Sequence, residues 1–316
     1  MRTLLLVLLL CASSAFAQYP TKPIRMIVPL VPGGNQDIVA RAVGEELSKS
    51  LGQQVVVENR PGQSAIIGTQ FVKNSPPDGY TLLSVAVTFA RVPAVVKAAG
   101  YDAATDFTGV SLVCRIPQVL VVHPSFPAKS VAELVAAAKA RPGEVSFGSS
   151  GNGSTGHVAA EMFMRMTGTR LLHVAYKGNA QALVDVMGGQ INMMFDQVST
   201  SGPQVKGGKV RALGVTTIAR TAVLPDVPSL HELGLTNFED VTWNGIVAPA
   251  ATPKEILKRL HGAIAKIMSN EDLKKRYLER GIELTASESP EQFSAFLRTQ
   301  HDKYVQVVKK ANIQAD

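Results

Sequence analysis

Short apolar runs alternate along the chain with stretches of helical periodicity. The runs are rich in β-branched residues and bounded by turn residues, a pattern typical of strands that are buried on both faces of a sheet. They cover residues 24–30, 54–58, 80–87, 119–123, 145–149, 191–195, 210–217 and 245–248. Because amphipathic segments separate these runs, the pattern predicts an α/β fold.

Capping residues place three of the helix beginnings. Ser130, Thr252 and Ser289 each precede a Glu or Gln by three residues, and proline directly follows the second and third hydroxyl. In such a capping box, the hydroxyl accepts a hydrogen bond from an otherwise unpartnered amide of the first turn. We therefore expect a helix after each of the three, packed through its apolar face onto a sheet.

The first 17 residues have the pattern of a cleaved signal peptide. Arg2 precedes the apolar residues 4–10, and Ala15-Phe16-Ala17 has the small-x-small pattern of a cleavage site. The mature chain is expected to begin at Gln18 and to reside in the periplasm. Lipoprotein processing at Cys11 is the alternative, although Leu10 occupies the position where a small residue is required.

The amino-acid composition and the charge of the chain exclude several classes of protein. The chain has 316 residues, of which 46% are hydrophobic and 18% charged, and this fits a folded protein of two domains. No stretch after the leader approaches the roughly 20 apolar residues of a membrane span. The net charge of +7, or +6 without Arg2, comes without a dense basic block, which argues against nucleic-acid binding. One cysteine remains after the leader, so no intramolecular disulfide is expected.

Two proline-rich segments, residues 116–127 and 224–228, are the predicted connections between lobes. If the chain passes from one lobe to the other at both segments, the middle of the chain forms an inserted lobe. We therefore predict a discontinuous first lobe of residues 18–120 and 231–316, and a second lobe of residues 121–230.

Two turns that lead from a strand into a helix carry the candidate chemistry. In the first turn, Gly33, Gly34 and Asp37 lead into a helix that follows from Ile38. Glycines at a helix start can present bare amides to an anion, and the helix dipole adds to the attraction. The alternative is that Asp37 or its neighbour Asn35 only caps the helix.

The second turn is richer in potential donors. It runs from residue 145 to 157 and combines four glycines with hydroxyl and amide side chains at a helix start. The candidate ligand-binding residues here are Ser149, Ser150, Gly151, Asn152, Gly153, Ser154, Thr155 and His157. Gly148 and Gly153 have the spacing of a phosphate loop, but Ser154 stands where the lysine is required, which argues against nucleotide hydrolysis. A merely flexible turn remains an alternative.

Three further side chains are weaker candidates. Tyr176 and Lys177 precede Gly178 in a turn, and Asp196 follows the apolar run 191–195. An aspartate at a strand end can pair with a ligand amine, or it can simply cap a helix. The six histidines show no metal-ligand spacing, so we expect no metal and no cofactor.

Taken together, these segments resemble the Bug family, the substrate-binding proteins of tripartite tricarboxylate transporters. The resemblance extends over nearly the whole mature chain. It includes Tyr19-Pro20, Pro32-Gly33-Gly34, Glu58-Asn59-Arg60-Pro61-Gly62, Pro77-Asp78-Gly79-Tyr80, Gly148 to His157, Tyr176-Lys177-Gly178, Leu224-Pro225-Asp226-Val227-Pro228 and Trp243-Asn244-Gly245. It implies a two-lobed, type II-like periplasmic-binding-protein (Venus flytrap) fold, with mixed sheets flanked by helices.

The resemblance also implies a function. Proteins of this family are not enzymes; they close over a small carboxylated metabolite, which loop amides, hydroxyls and water hold in place of an arginine. We therefore expect a monomeric receptor that serves a membrane transporter or a sensor. The implied ligand-binding residues are Gly33, Gly34, Asp37, the residues of the second turn given above, Tyr176, Lys177 and Asp196.

The sequence departs from the family pattern at three sites, one of which is Ala175, where proline commonly precedes Tyr-Lys-Gly. Gln63, Ser64 and Ala65 replace a run that is usually Ala-Gly-Gly, and the segment from Thr88 to Arg91 lacks the usual Asn-Pro ending. We add Ser64 and Thr88 to the candidate ligand-binding residues for this reason. The competing function is an exported serine hydrolase with Ser150 or Ser154 as the nucleophile and His157 as the base.

Overall fold

The computed structural model describes residues 19–96, 98–176 and 178–311. The predicted leader, residues 1–17, and the candidate Lys177 lie outside the described residues. The strands are β1 (Ile24–Val28), β2 (Val55–Asn59), β3 (Thr81–Ala86), β4 (Phe107–Val122), β5 (Ser146–Ser149), β6 (Leu172–Ala175), β7 (Met193–Gln197), β8 (Arg211–Val215), β9 (Val241–Pro249) and β10 (Glu283–Leu284).

Helices follow most of the strands. They are α1 (Asn35–Leu51), α2 (Ile66–Lys73), α3 (Val87–Val95), α4 (Val131–Ala140), α5 (Thr155–Thr167), α6 (Asn179–Met187), α7 (Val198–Lys206), α8 (Lys254–Met268), α9 (Glu271–Leu278) and α10 (Pro290–Ala311). Within the described ranges, no helix combines the length and apolarity needed to cross a membrane.

The chain forms two compact units, each assembled from separate segments. The first unit holds the described residues up to Cys114, together with Trp243–Leu273 and those from Thr285 onward. The second unit holds Arg115–Thr242 and Lys274–Leu284. The strands β4 and β9 therefore each contribute residues to both units.

The first unit is built around a mixed sheet in the strand order β2-β1-β3-β9. Strand β1 runs parallel to β2 and β3, whereas β9 runs antiparallel to β3. Helix α1 buries Val39, Val43 and Leu47 and packs on β1 and β2. Gly245 of β9 lies so close to Phe293 of α10 that a Cβ there would stand 2.1 Å from the ring.

The second unit has the strand order β8-β4-β7-β5-β6. Strand β5 is parallel to β6 and β7, whereas β4 is antiparallel to β7 and β8. Successive side chains of a strand point to opposite faces. Leu120 accordingly joins a core with Phe147, Phe163 and Phe195, while Val119 joins a second core with residues of α6 and α7. Both faces of this sheet are covered by helices.

These observations confirm the predicted α/β class with mixed sheets. All eight apolar runs overlap strands, but four pieces of strand were missed: β6, β10, the part of β4 before residue 119 and the part of β9 before residue 245. Strand β6 has half-buried or exposed residues at all four positions, so it lacks an apolar run.

The capping predictions have two outcomes. The hydroxyls of Ser130 and Ser289 accept hydrogen bonds from the amides of Glu133 and Gln292, as predicted. At the third site, Thr252 instead donates to the carbonyl of Pro249, and Pro253 stands just before the helix. The predicted capping box at Thr252 is therefore wrong.

Candidate functional site

The candidate residues of the first unit lie where parallel strands end. Strands β1, β2 and β3 run in the same direction, so the segments that follow them leave from one edge of the sheet. Gly33, Gly34 and Asp37 follow β1, Ser64 follows β2, and Thr88 follows β3. In open α/β sheets, ligands bind outside this carboxyl-terminal edge.

Asp37 organises the turn after β1. Its carboxylate accepts hydrogen bonds from the Gly33 amide at 3.0 Å, from Arg41 Nε at 3.1 Å and from Asn59 Nδ2 at 2.9 Å. Burial alone would raise the pKa of Asp37, but the bonds from Arg41, Gly33 and Asn59 outweigh it and lower that pKa below its ordinary value. Asp37 is therefore an ionised group that fixes the backbone of the turn. Its direct contact with a ligand stays a prediction.

The glycines leave space over this turn. Gly33 has a φ of +88°, which favours glycine, and Gly34 is the capping residue before α1. A Cβ at either glycine would meet no atom within 4 Å. The first-turn amides of α1, such as that of Gln36, have no acceptor within the helix and could bind an anion.

Sequence reasoning missed Gln36, which precedes Asp37. Its side chain is 4% exposed, and its Nε2 donates to the Ser84 carbonyl of β3 at 2.7 Å. This bond ties the start of α1 to the neighbouring strand. The only available signal was its position in the first helical turn.

Ser64 lies in a strained segment. Gln63, Ser64 and Ala65 have φ values of 46°, 54° and 78°, all in the left-handed region that disfavours residues with a Cβ. Gln63 and Ser64 are exposed, and Ala65 is buried. Thr88 is the second residue of α3 and is half-buried. Ligand contacts by Ser64 and Thr88 stay predictions.

The second unit repeats this arrangement. Strands β5, β6 and β7 are parallel, and the remaining described candidates lie at their carboxyl-terminal ends. Ser149 to His157 follow or end β5, Tyr176 follows β6, and Asp196 lies near the end of β7. The sheet therefore brings these candidates to one edge of this unit.

Hydrogen bonds within the loop define the shape of the turn after β5. Ser149 Oγ donates to the carbonyl of Gly151 at 3.1 Å, and the amide of Gly151 donates to Ser149 Oγ at 3.2 Å. The amide of Gly153 donates to Nδ1 of His157 at 2.9 Å. Ser154 caps α5 by accepting from the backbone amide of His157 at 3.4 Å. Gly151 and Gly153 have φ values of 114° and 69°.

These bonds leave the amides of Thr155 and Gly156 as the first-turn donors that α5 itself cannot satisfy. Gly156 packs tightly beneath them, since a Cβ there would lie 2.6 Å from the carbonyl oxygen of Phe195. Neither turn contains Lys or Arg between residues 29 and 37 or between 145 and 157. Any anion held by these turns would depend on amides and hydroxyls.

His173 of β6 is the principal residue that sequence reasoning missed. Its Nε2 lies 2.7 Å from Ser149 Oγ, and its ring stacks on the ring of His157 at 4.1 Å between centroids. The signal was weak, because His173 falls in a strand without an apolar run.

Asp196 is fully buried within the second unit. Its carboxylate accepts hydrogen bonds from Asn179 Nδ2 at 2.7 Å, Thr200 Oγ1 at 2.5 Å and Ser201 Oγ at 2.6 Å. Burial raises the pKa of Asp196, against the opposing effect of these bonds. Its pairing with a ligand amine stays a prediction, and such an amine would have to compete with these donors.

Hydrogen bonds fix both the backbone and the side chain of Tyr176. Its amide donates to the carbonyl of Ser149 at 2.9 Å, and its hydroxyl donates to Asp185 Oδ2 at 2.6 Å. Burial, followed by this bond to Asp185, raises the pKa of Tyr176 to about 12. Tyr176 also borders an open hollow of about 490 Å³ on the face of α6.

The chain matches the family described as the tripartite tricarboxylate transporter family receptor over residues 39–313. The chain belongs to this family. It is 33% identical to protein BugT of Bordetella pertussis over 298 residues, which is 92% of this chain and 90% of BugT. Its fold resembles the periplasmic binding protein BugD, with 33% identity, a TM-score of 0.74 and coverage of 94% of this chain and 100% of BugD.

Two other solved relatives carry ligands. Rpa4515 of R. palustris, solved with adipate, is 34% identical and has a TM-score of 0.77, covering 94% of this chain and 99% of its own. MatC of Rhodopseudomonas palustris, with bound malate, is 28% identical and has a TM-score of 0.73, covering 92% of this chain and 100% of its own.

These matches confirm the resemblance and the function class. The protein is a periplasmic solute-binding receptor of a transporter family and not an enzyme. The hydrolase alternative is therefore wrong, and for the pair Ser154 and His157 the geometry gives a reason. Ser154 contacts the backbone of His157, whose ring Nδ1 is already occupied by the Gly153 amide. Among the described residues, no group of three or more His, Cys, Asp or Glu side chains could hold a metal ion.

Proposed function

We propose that this receptor captures a small carboxylated metabolite through backbone amides and hydroxyls at two turns. The observation that carries the proposal is the turn before α5. Its internal hydrogen bonds hold the loop in place while the first-turn amides of Thr155 and Gly156 have no acceptor in the helix. Such a site favours an anion because the amides and the helix dipole both present positive charge.

The relatives support a carboxylate as that anion. Adipate and malate, the ligands of Rpa4515 and MatC, are both dicarboxylates of few carbon atoms. The turn after β1 offers a second set of amides in the first unit, where Asp37 fixes the backbone through the Gly33 amide and the glycines leave space above it. We propose that each turn takes part in holding one ligand, with Ser64, Thr88, Tyr176, Lys177 and Asp196 contacting its remaining groups.

The finer expectations from the sequence belong to this proposal as well. They are the cleavage of residues 1–17 on export, a monomeric mature chain, and closure of the lobes 18–120 with 231–316 and 121–230 on the ligand. Closure is expected because a closed state makes contacts with the ligand that an open state lacks. A transporter in the membrane would then recognise the closed receptor.

Calorimetry against matched ligands tests the proposal. The mature protein is titrated with adipate, malate, succinate and benzoate, and in parallel with adipamide, the uncharged diamide of adipate. Heat from at least one acid, with none from adipamide, is the expected result. No heat from any acid together with an unchanged melting temperature would contradict the proposal, and so would equal binding of adipate and adipamide.

A further inference from the structure

Three rings stack in the second unit beneath the turn that precedes α5. The ring of Phe147 lies 4.7 Å from that of His173, at an interplanar angle of 17°. The ring of His173 lies in turn 4.1 Å from that of His157, at 14°. Phe147 is fully buried and His157 is 8% exposed, whereas His173 between them is half-buried.

Hydrogen bonds determine which nitrogen of the His157 ring carries the proton. The Gly153 amide can only donate, so Nδ1 of His157, at 2.9 Å, must carry a lone pair. The proton of the neutral ring therefore lies on Nε2, which is 3.5 Å from Glu161 Oε1. The second imidazole, His173, bonds through Nε2 to Ser149 Oγ at 2.7 Å. The same Ser149 Oγ accepts the amide of Gly151.

We propose that His157 and His173 are positioning residues, which hold the segment Gly151–Ser154 in its ligand-binding shape only while His157 is neutral. This inference rests on the proposed function of that segment. Neither histidine needs to touch the ligand. They act through the amides of Gly153 and Gly151, whose positions determine where the first-turn donors of α5 point.

Protonation of His157 would break the arrangement. A proton on Nδ1 would face the N–H of Gly153, so two donors would oppose each other and the loop would have to move. The charged or titratable groups around the ring are Glu161 on α5 and His173 on β6; Phe147 of β5 is uncharged. Burial, and then His157, lower the pKa of His173 to about 4, so His173 stays neutral in mild acid. We therefore expect ligand affinity to fall on acidification.

Substitutions that separate shape from charge test this inference. His157→Asn keeps an acceptor near the position of Nδ1 but cannot be protonated in this range, whereas His157→Ala removes the acceptor. His123→Asn is the matched control, because His123 is also in the second unit and its ring Nδ1 contacts Ser125 rather than the turn before α5. The dissociation constants for adipate and malate are measured by calorimetry between pH 7.5 and pH 5.0.

We expect the affinity of the wild type, relative to that of His157→Asn, to fall about tenfold between pH 7.5 and pH 5.0. His157→Ala should bind about tenfold more weakly at pH 7.5. Ionisation of the ligand affects all variants equally, so it cancels in these ratios. The inference is overturned if wild type and His157→Asn keep the same ratio at both pH values, or if His123→Asn gives the same change.

A measurement without ligand separates this inference from the proposed function. Nitrogen NMR of labelled imidazoles should show the Nε2–H tautomer of His157, and the amide signal of Gly153 should shift as His157 titrates. His173→Gln, which keeps a donor to Ser149, should preserve the Gly153 signal, whereas His173→Leu should not. If neither acid binds at any pH, the proposed function fails while these signals still decide the inference. If the chemical shift of the Gly153 amide does not change when His157 is protonated, the inference is overturned even if both acids bind.

Discussion

Thr155→Pro would remove one backbone donor from the proposed anion site while preserving the helix. Thr155 is the first residue of α5, a position where proline is well tolerated because its missing N–H has no acceptor in the helix. The preceding residue, Ser154, has φ −64° and ψ 163°, the extended conformation that a following proline requires. The substitution should therefore leave the unliganded fold intact.

The expected loss follows from the kind of bond removed. A hydrogen bond to a charged group contributes about 1.5 to 3 kcal/mol. Loss of the Thr155 amide should therefore raise the dissociation constant by about tenfold to a hundredfold. Thr155→Ala is the control, since it removes the hydroxyl and keeps the amide.

Calorimetry with adipate and malate measures the affinities, and thermal unfolding of the unliganded proteins checks that both variants fold. If Thr155→Pro folds normally and binds as tightly as Thr155→Ala, the amide of Thr155 does not hold the ligand. The argument from unsatisfied first-turn donors would then be refuted for this turn.

Three further predictions concern stability and reactivity. Gly245→Ala should lower the free energy of unfolding by about 1 to 3 kcal/mol, because its Cβ would stand 2.1 Å from the ring of Phe293. Gly262→Ala in α8, where a Cβ meets no atom within 4 Å, should instead raise it by about 1 kcal/mol; denaturant unfolding measures both, and equal signs would contradict the packing argument. The pKa of Asp37 is lowered in the folded state, so its ionisation stabilises the fold above the pKa of the unfolded chain and stops doing so as the pH falls through the folded pKa. The stability difference between wild type and Asp37→Asn should accordingly shrink below about pH 4, and a difference independent of pH would argue against it. Cys114 is fully buried, and burial raises the pKa of its thiol to about 12, so a thiol reagent should label it only after unfolding; rapid labelling of the native protein would contradict this burial.

The success of prediction from sequence depended on how much of each element is buried. Strands β1, β3 and β7 are almost wholly buried and appear as apolar runs. Strand β6 was missed because Leu172 is 53% exposed and Ala175 is exposed as well. An edge strand of four residues has too few inward positions to give a periodic signal.

Candidate residues could be predicted where the neighbouring residues in the sequence indicate their role. The glycine turns were recognised because glycine and hydroxyl residues at a helix start have a direct physical meaning. His173 and Gln36 were missed because their partners, Ser149 and Ser84, are distant in the sequence. Asp37 and Asp196 were recognised as candidates, but one hydrogen bond to each, from Asn59 and from Asn179, comes from a residue that only the fold brings near.

Because the chain passes more than once between the two units, they cannot be expressed separately by truncating the gene at one position. Strand β3 pairs with β9 through Leu83 and Val247. The first sheet therefore cannot be completed until the ribosome has synthesised a strand more than 150 residues further along the chain. The second unit likewise takes Lys274–Leu284 from near the carboxyl end. No single cut in the gene separates the two units, and a nascent polypeptide that stops at residue 242 would expose the edge of β3 as a site for aggregation.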